Sequence, residues 1–250
     1  MIMLRKLQLL LLLALLTPLP FVRGQKSPDA VSVLLDFENT LHNWTDTSAW
    51  RWSADTEPCA QNGKSWPYVM CSSDHQVAGL NFSHVNLRGA MPQDSWGELL
   101  SQVDTLVALD FRNASLVLDL SSSQFEAYRT TGSSNLPASW GQSFPKLVEL
   151  HAPQLGSLPA EWGARGAFPS LEIWEVLGQP GYVDDQLGGS LPGSWGVDGG
   201  LQSLRELLLG SNGLTGTLSP QLAQLPNLTV LDLHDNNFWE ACRLDGPNQT

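Results

Sequence analysis

The sequence predicts a solenoid: short coils stacked one upon the next, each lending a strand to one curved sheet. Three observations carry this. Leu204–Pro226 reads LRELLLGSNGLTGTLSPQLAQLP, and Leu228–Phe238, LTVLDLHDNNF, repeats its opening 24 residues later. Leu147 and Leu171 open two further copies, also 24 residues apart. A second habit, Leu-Pro-x-x-Trp-Gly, recurs at Leu136–Gly141, Leu158–Gly163 and Leu191–Gly196, with Met91–Gly97 as a looser version. One such unit cannot bury its own apolar residues, so repetition implies stacking.

In Leu204–Pro226 leucines fall at positions 1, 4 and 6, an asparagine at 9 and another leucine at 11. This L-x-x-L-x-L-x-x-N-x-L pattern is that of a leucine-rich repeat, a strand-rich α/β horseshoe with short 3-10 or irregular turns on its convex side. Six openings align, at Val77, Leu106, Leu147, Leu171, Leu204 and Leu228. The uneven intervals require insertions, one near 115–135 and one near 178–186, both rich in Ser, Gly or Asp and expected to leave the stack as loops. Repeats are expected over 76–240, with 241–250 as a tail.

The chain of 250 residues is 42% apolar and 15% charged, enough for a core and with little sign of disorder. Its formal charge is −12. The first 24 residues contain Arg5, Lys6 and Arg23 and no acid; without them 10 basic and 25 acidic groups remain, or −15. Nucleic acid and anionic membrane are then poor partners, and a basic protein or peptide is electrostatically easier. Residues 1–24 read as a secretory signal. Arg5 and Lys6 precede the apolar run Leu7–Leu16, Pro18 and Pro20 end it, and Val22-Arg23-Gly24 offers a cleavage point. The run is shorter than the roughly 20 residues a spanning helix needs.

Export would suit the cysteines. Cys59 and Cys71 are close enough in sequence to staple a loop, and Cys242 is left over. Five tripeptides have the form of glycosylation acceptors, at Asn43, Asn81, Asn113, Asn227 and Asn248. No Cys-x-x-Cys or His-x-x-x-His spacing is present, so no metal is expected.

Residues 25–75 read as an N-terminal cap. In Ser27–Thr40, Ser27 can cap a helix and Pro28 fits its first turn. Val31, Leu34, Leu35 and Leu41 follow at near-helical spacing. Trp44, Trp50, Trp52 and Trp66 crowd around the Cys59–Cys71 loop, as a small stapled core would require. Val33-Leu34-Leu35-Asp36-Phe37, Trp44, Pro58-Cys59, Trp66, Val69 and Cys71 run into Val77, Leu80, Phe82, Leu87, Gly89 and Pro92. This succession resembles the cap and first repeat of plant-type leucine-rich repeat proteins. Tyr68 stands where that family has glycine, and the cap loop is longer. The resemblance covers Ser27 to Phe238. It implies an extracellular recognition module or receptor ectodomain. Leu87-Arg-Gly-Ala-Met-Pro92, Leu187-Gly-Gly-Ser-Leu-Pro192 and Leu214-Thr-Gly-Thr-Leu-Ser219 resemble the half-repeat that forms a second, smaller sheet in that family.

Alternation within each L-x-x-L-x-L segment sends leucines inward and the intervening residues onto a concave face. Asn212 and Asn236 are expected to turn inward and satisfy loop backbone. The recurring Trp96, Trp140, Trp162 and Trp195 are expected to fill the convex side of the core, and the glycine after each to serve a tight turn of unusual φ/ψ. The concave positions include Asp110, Glu149, His151, Glu175, Glu206, Asp232, His234 and Asp235, an acidic stripe interrupted by Arg112 and Arg205. Such a stripe suits a basic peptide or protein segment, with His151 and His234 adding pH sensitivity. Glycosylation at Asn81 would put a sugar on the same face.

No Gly-x-Ser-x-Gly, His-Glu-x-x-His, phosphate-binding loop or kinase signature occurs. The expectation is a secreted or cell-surface binding protein with no catalysis and no cofactor. The alternatives are a truncated receptor ectodomain, an inhibitor of a secreted hydrolase, or a structural wall or matrix glycoprotein. A membrane would be met only through a missing C-terminal anchor or a receptor partner.

Overall fold

The computed structural model describes residues 29–41, 51–85, 87, 94–112, 114, 136–152, 157–176, 189–197 and 199–239. The leader, Ser27, Pro28, Trp44, Trp50, Asn43, Asn113, Asn248, Cys242, the tail and both insertions lie outside them.

Helix α1 spans Ala30–Thr40. Asp29, not Ser27, caps it. Its extended backbone lets its carboxylate accept the Ser32 N–H at 2.8 Å, satisfying a donor that the first turn leaves free. The helix buries Val33, Leu34 and Phe37. Phe37 meets Trp96 edge-on at 5.3 Å and leans on Phe82 at 6.1 Å.

Cys59 and Cys71 are joined, with Cα atoms 5.7 Å apart. Trp52 and Trp66 stack at 5.4 Å beneath this loop, both buried. Each indole N–H finds an acceptor, Pro67 O at 2.9 Å for Trp52 and Thr56 Oγ1 at 2.8 Å for Trp66. Tyr68 has φ +63°. The backbone here takes the left-handed region that glycine enters freely, which accounts for glycine at this position in the resembling family. The Tyr68 ring lies 5.6 Å from Phe82.

Strands β1 (Val69–Cys71), β2 (Val77–Asn81), β3 (Ala108–Asp110), β4 (Glu149–His151), β5 (Ile173–Glu175), β6 (Glu206–Leu208) and β8 (Val230–Asp232) form one sheet in that order. β1 and β2 are antiparallel; all later pairs are parallel. From β2 onward the register is unbroken. Gly79, Ala108, Glu149, Ile173, Glu206 and Val230 form one row, and Asn81, Asp110, His151, Glu175, Leu208 and Asp232 another. Between them Leu80, Leu109, Leu150, Trp174 and Leu207 point into the core with no exposed surface. A second sheet pairs β7 (Thr215–Gly216) with β9 (Asn237–Phe238), and Ser190 bridges to Thr215. Ser190 and β7 fall within half-repeats from which a smaller sheet was expected, whereas β9 belongs to the last coil, for which no such half-repeat was identified.

The convex side is built around helix α2 (Asp94–Leu100), helix α3 (Trp140–Ser143) and 3-10 turns at Ala160–Gly163 and Pro220–Gln224. Trp96, Trp140, Trp162, Trp174 and Trp195 are all at most 1% exposed. Trp174 replaces a strand leucine and lies 4.7 Å from Trp162 and 4.9 Å from Trp195, joining the convex ladder to the sheet.

Three of the four glycines that follow a ladder tryptophan have a different reason from the one their sequence suggests. Only Gly196 has positive φ, +90°. Gly97, Gly141 and Gly163 sit in helical turns. A Cβ there would meet the next coil: Trp140 Cδ1 at 3.0 Å from Gly97, Ala167 Cβ at 3.0 Å from Gly141, Trp195 Cδ1 at 2.5 Å from Gly163. Glycine is required because the next coil packs against its bare α-carbon.

In the last coils an amide ladder joins the core. Asn212, fully buried, donates to the Val176 and Gly210 carbonyls. Asn236 accepts from the N–H groups of Asn212 at 3.1 Å and Leu214 at 2.9 Å, and donates to Leu209 O at 2.8 Å. Backbone groups turned inward by the coil are thereby paired without water.

Candidate concave binding face

The concave side of the main sheet displays the two outward rows. The sequence presents their acids as one stripe; the structure divides them.

At the N-terminal end Asp110 is buried. Arg112, two residues on, folds back to it, with Nη2 at 2.6 Å and Nε at 3.1 Å from its carboxylate oxygens. The Arg112 backbone N–H adds a bond at 2.9 Å. The same guanidinium reaches over β4 to Glu175, with Nη1 3.4 Å from Oε2. These bonds raise the Arg112 pKa further above its usual value, the Asp110 hydrogen bond foremost. Glu175 is also buried, and His151 Nδ1 makes a short contact with its Oε2. His151 Nε2 is 3.8 Å from Glu149 Oε2. Asp110, Arg112, His151 and Glu175 therefore form one knot across β3, β4 and β5. An acidic stripe interrupted by Arg112 was expected here. Register explains the burial, because Asp110, His151 and Glu175 are in-line neighbours and a long cation two residues after Asp110 can lie over all three.

The C-terminal end is organised differently. Glu206 is half-buried and has no ion-pair partner among the described residues. Val230 beside it is 41% exposed, and Leu208 is half-buried between Glu175 and Asp232. Among the described residues Asp232 pairs only with its near neighbour His234, Oδ1 to Nδ1 at 2.6 Å. That hydrogen bond lowers the Asp232 pKa and raises that of His234. His234 lies over Gly210, where a Cβ would be 2.1 Å from the ring. Asp235 is exposed at φ +50°. Arg205 is set to the side, 3.6 Å from Glu172. Among the described residues no group of three or more His, Cys, Asp or Glu is placed to hold a metal. None of the described helices is long and apolar enough to cross a membrane.

A family model described as leucine-rich repeats in two copies matches residues 202–245. The strands it covers, β6 and β8, continue in register the four parallel strands before them. Residues 202–245 are therefore leucine-rich repeats, and the stacked sheet around them has the leucine-rich repeat solenoid fold. No curated protein matches this repeat protein's sequence. Among solved structures it is similar to the Arabidopsis receptor kinase HAESA in complex with the peptide hormone IDA and the co-receptor SERK1. The identity is 20% over 82% of this chain and 33% of that one, with a TM-score of 0.46. It is similar to a pollen receptor kinase 3, at 21% identity over 80% of this chain and 91% of that one, TM-score 0.46. It is also similar to the BIR3–SERK2 complex from Arabidopsis thaliana, at 18% identity over 84% and 83%, TM-score 0.39. The repeat protein spans about a third of the HAESA chain.

The sequence located the concave residues but did not reveal the central role of Arg112, which reads there as an interruption. The signal was its spacing of two from Asp110, since i and i+2 on a strand share a face.

Proposed function

We propose that this repeat protein is an extracellular recognition module that performs no catalysis and takes a protein or peptide segment across its concave face. The observation that carries the reading is the division of that face. Charges at β3–β5 are spent on one another, whereas Glu206, Asp232 and Asp235 flank the apolar Leu208 and Val230, and among the described residues His234 is the one cationic group paired with them. An extended segment with basic and apolar side chains in alternation matches this pattern, because strand side chains alternate and opposite charges steer encounter. Glu206 and Asp235, with no ion-pair partner among the described residues, also cost a partner less to engage than carboxylates already hydrogen-bonded.

The test is capture of a partner from extracellular fluid by the exported protein, followed by affinity measurement. Glu206→Lys with Asp232→Lys should weaken binding about tenfold or more and flatten its salt dependence. Glu98→Lys, at an exposed position of α2, should leave binding as it was. Unchanged affinity in the double variant would sink the concave reading.

A further inference from the structure

Two acceptor tripeptides fall on described side chains, and their amides stand differently. Asn81 ends β2 on the concave row that continues into Asp110. Its Oδ1 accepts from the Ser83 N–H at 2.9 Å and from Ser83 Oγ at 2.6 Å. Both bonds use the oxygen. The Nδ2 group has no partner among the described residues and is not sealed from solvent. Asn227, by contrast, donates from Nδ2 to Gln202 O at 2.7 Å, a tie between successive coils.

We infer that Asn81 carries an N-linked glycan in the folded protein, and that this sugar stands on the concave face and closes its N-terminal end. The inference rests on the proposed extracellular route, since the donor is a lipid-linked oligosaccharide pyrophosphate of the secretory pathway. Nδ2 forms a bond to the anomeric carbon of the first sugar, the anomeric carbon–oxygen bond to pyrophosphate breaks, and the lipid pyrophosphate leaves. One Nδ2 proton passes to a base of the transferase and the other stays. No protein hydrogen bond is lost, because the fold holds Asn81 by its oxygen. The fixed Asx-type turn at Ser83 also aims the amide nitrogen consistently, so the sugar has one exit direction.

The placement has a consequence for the neighbourhood. Met70 of β1 pairs with Gly79 and lies over it, its Cε 2.3 Å from where a Gly79 Cβ would be. Met70 thus covers the concave side two residues from Asn81. A glycan on Asn81 shades this thioether, and a partner can settle only from β3 onward, where the acidic positions begin.

The experiment uses the full chain expressed in a eukaryotic secretory host, once with its own residues 1–24 and once with a host leader in their place. Mass spectrometry of the exported protein should find sugar on the peptide containing Asn81. Glycosidase should shift its mobility, and Asn81→Gln should abolish that part of the shift while export and circular dichroism persist. Peroxide oxidation of Met70 should be several-fold faster after sugar removal than before it. An unmodified Asn81 in protein exported by the host leader overturns the inference, and equal Met70 oxidation rates overturn its placement. Glycosylation at Asn81 only behind the host leader supports the site and instead sinks the extracellular route.

Discussion

The coils before residue 200 and those after it solve one packing problem with different chemistry. The earlier coils use aromatic mass: Phe82 on Phe111 at 5.6 Å, Trp96 on Phe111 at 5.8 Å, Trp162 on Trp174 at 4.7 Å. The later coils use leucines and two asparagines that satisfy the turning backbone. Each of these amides pairs several backbone groups that the coil turns inward. Where that asparagine is missing, as at Val85 and Ala114, the large rings of Phe82, Trp96 and Phe111 fill the core.

The contrast can be broken at defined points. The largest effect is expected for Trp162→Ala, which removes a fully buried ring that meets Phe168 and Trp174 and donates to Pro137 O. It should cost about 3–5 kcal/mol in urea denaturation. Next comes Asn212→Ala, in the leucine region. It orphans the Val176 and Gly210 carbonyls and should cost about 2–3 kcal/mol, with faster amide exchange confined to the later coils. If Asn212→Ala destabilised every coil equally, the proposed division of labour would fail. Gly163→Ala should cost about 1–3 kcal/mol by overpacking against Trp195, whereas Gly193→Ala, with nothing near its Cβ position, should stay within about 0.5 kcal/mol.

The smallest effect concerns His234. Asp232 raises the His234 pKa, so that pair's contribution is complete below the ordinary histidine value and fades as pH rises through the raised one. The Asp232 pKa is lowered, so its share is present above the ordinary aspartate value and fades as pH falls through the depressed one. The pair therefore supports the last strand between those two limits. Proton NMR should place the His234 midpoint above the usual histidine value, and Asp232→Asn should lower it toward that value, with Asp235 still raising it.

Much of this was legible in the residues. The strand register follows from L-x-x-L-x-L, because inward leucines tolerate no slip of one. The burial of Trp96, Trp140, Trp162 and Trp195 follows from their recurrence. What lay beyond reach was contact between coils. Trp174 occupies a leucine slot and gives no repeat signal of its own. Glycine after tryptophan reads as a turn when seen along the chain and as a packing requirement only when the next coil is in view. The burial of Asp110 and Glu175 depends on Arg112 spanning three strands, 63 residues apart in sequence at its far end.

The glycine–tryptophan contact has a further consequence. Successive ladder tryptophans are 44, 22 and 33 residues apart, yet each of the later three is seated at its predecessor's coil, two of them directly against a glycine α-carbon and Trp162 within 3.5 Å of the Gly141 Cβ position. The joint therefore indexes the stack by touch and not by chain length. Coils can gain or lose loop residues without changing their pitch, which lets one side of the molecule vary freely while the concave face keeps its alignment.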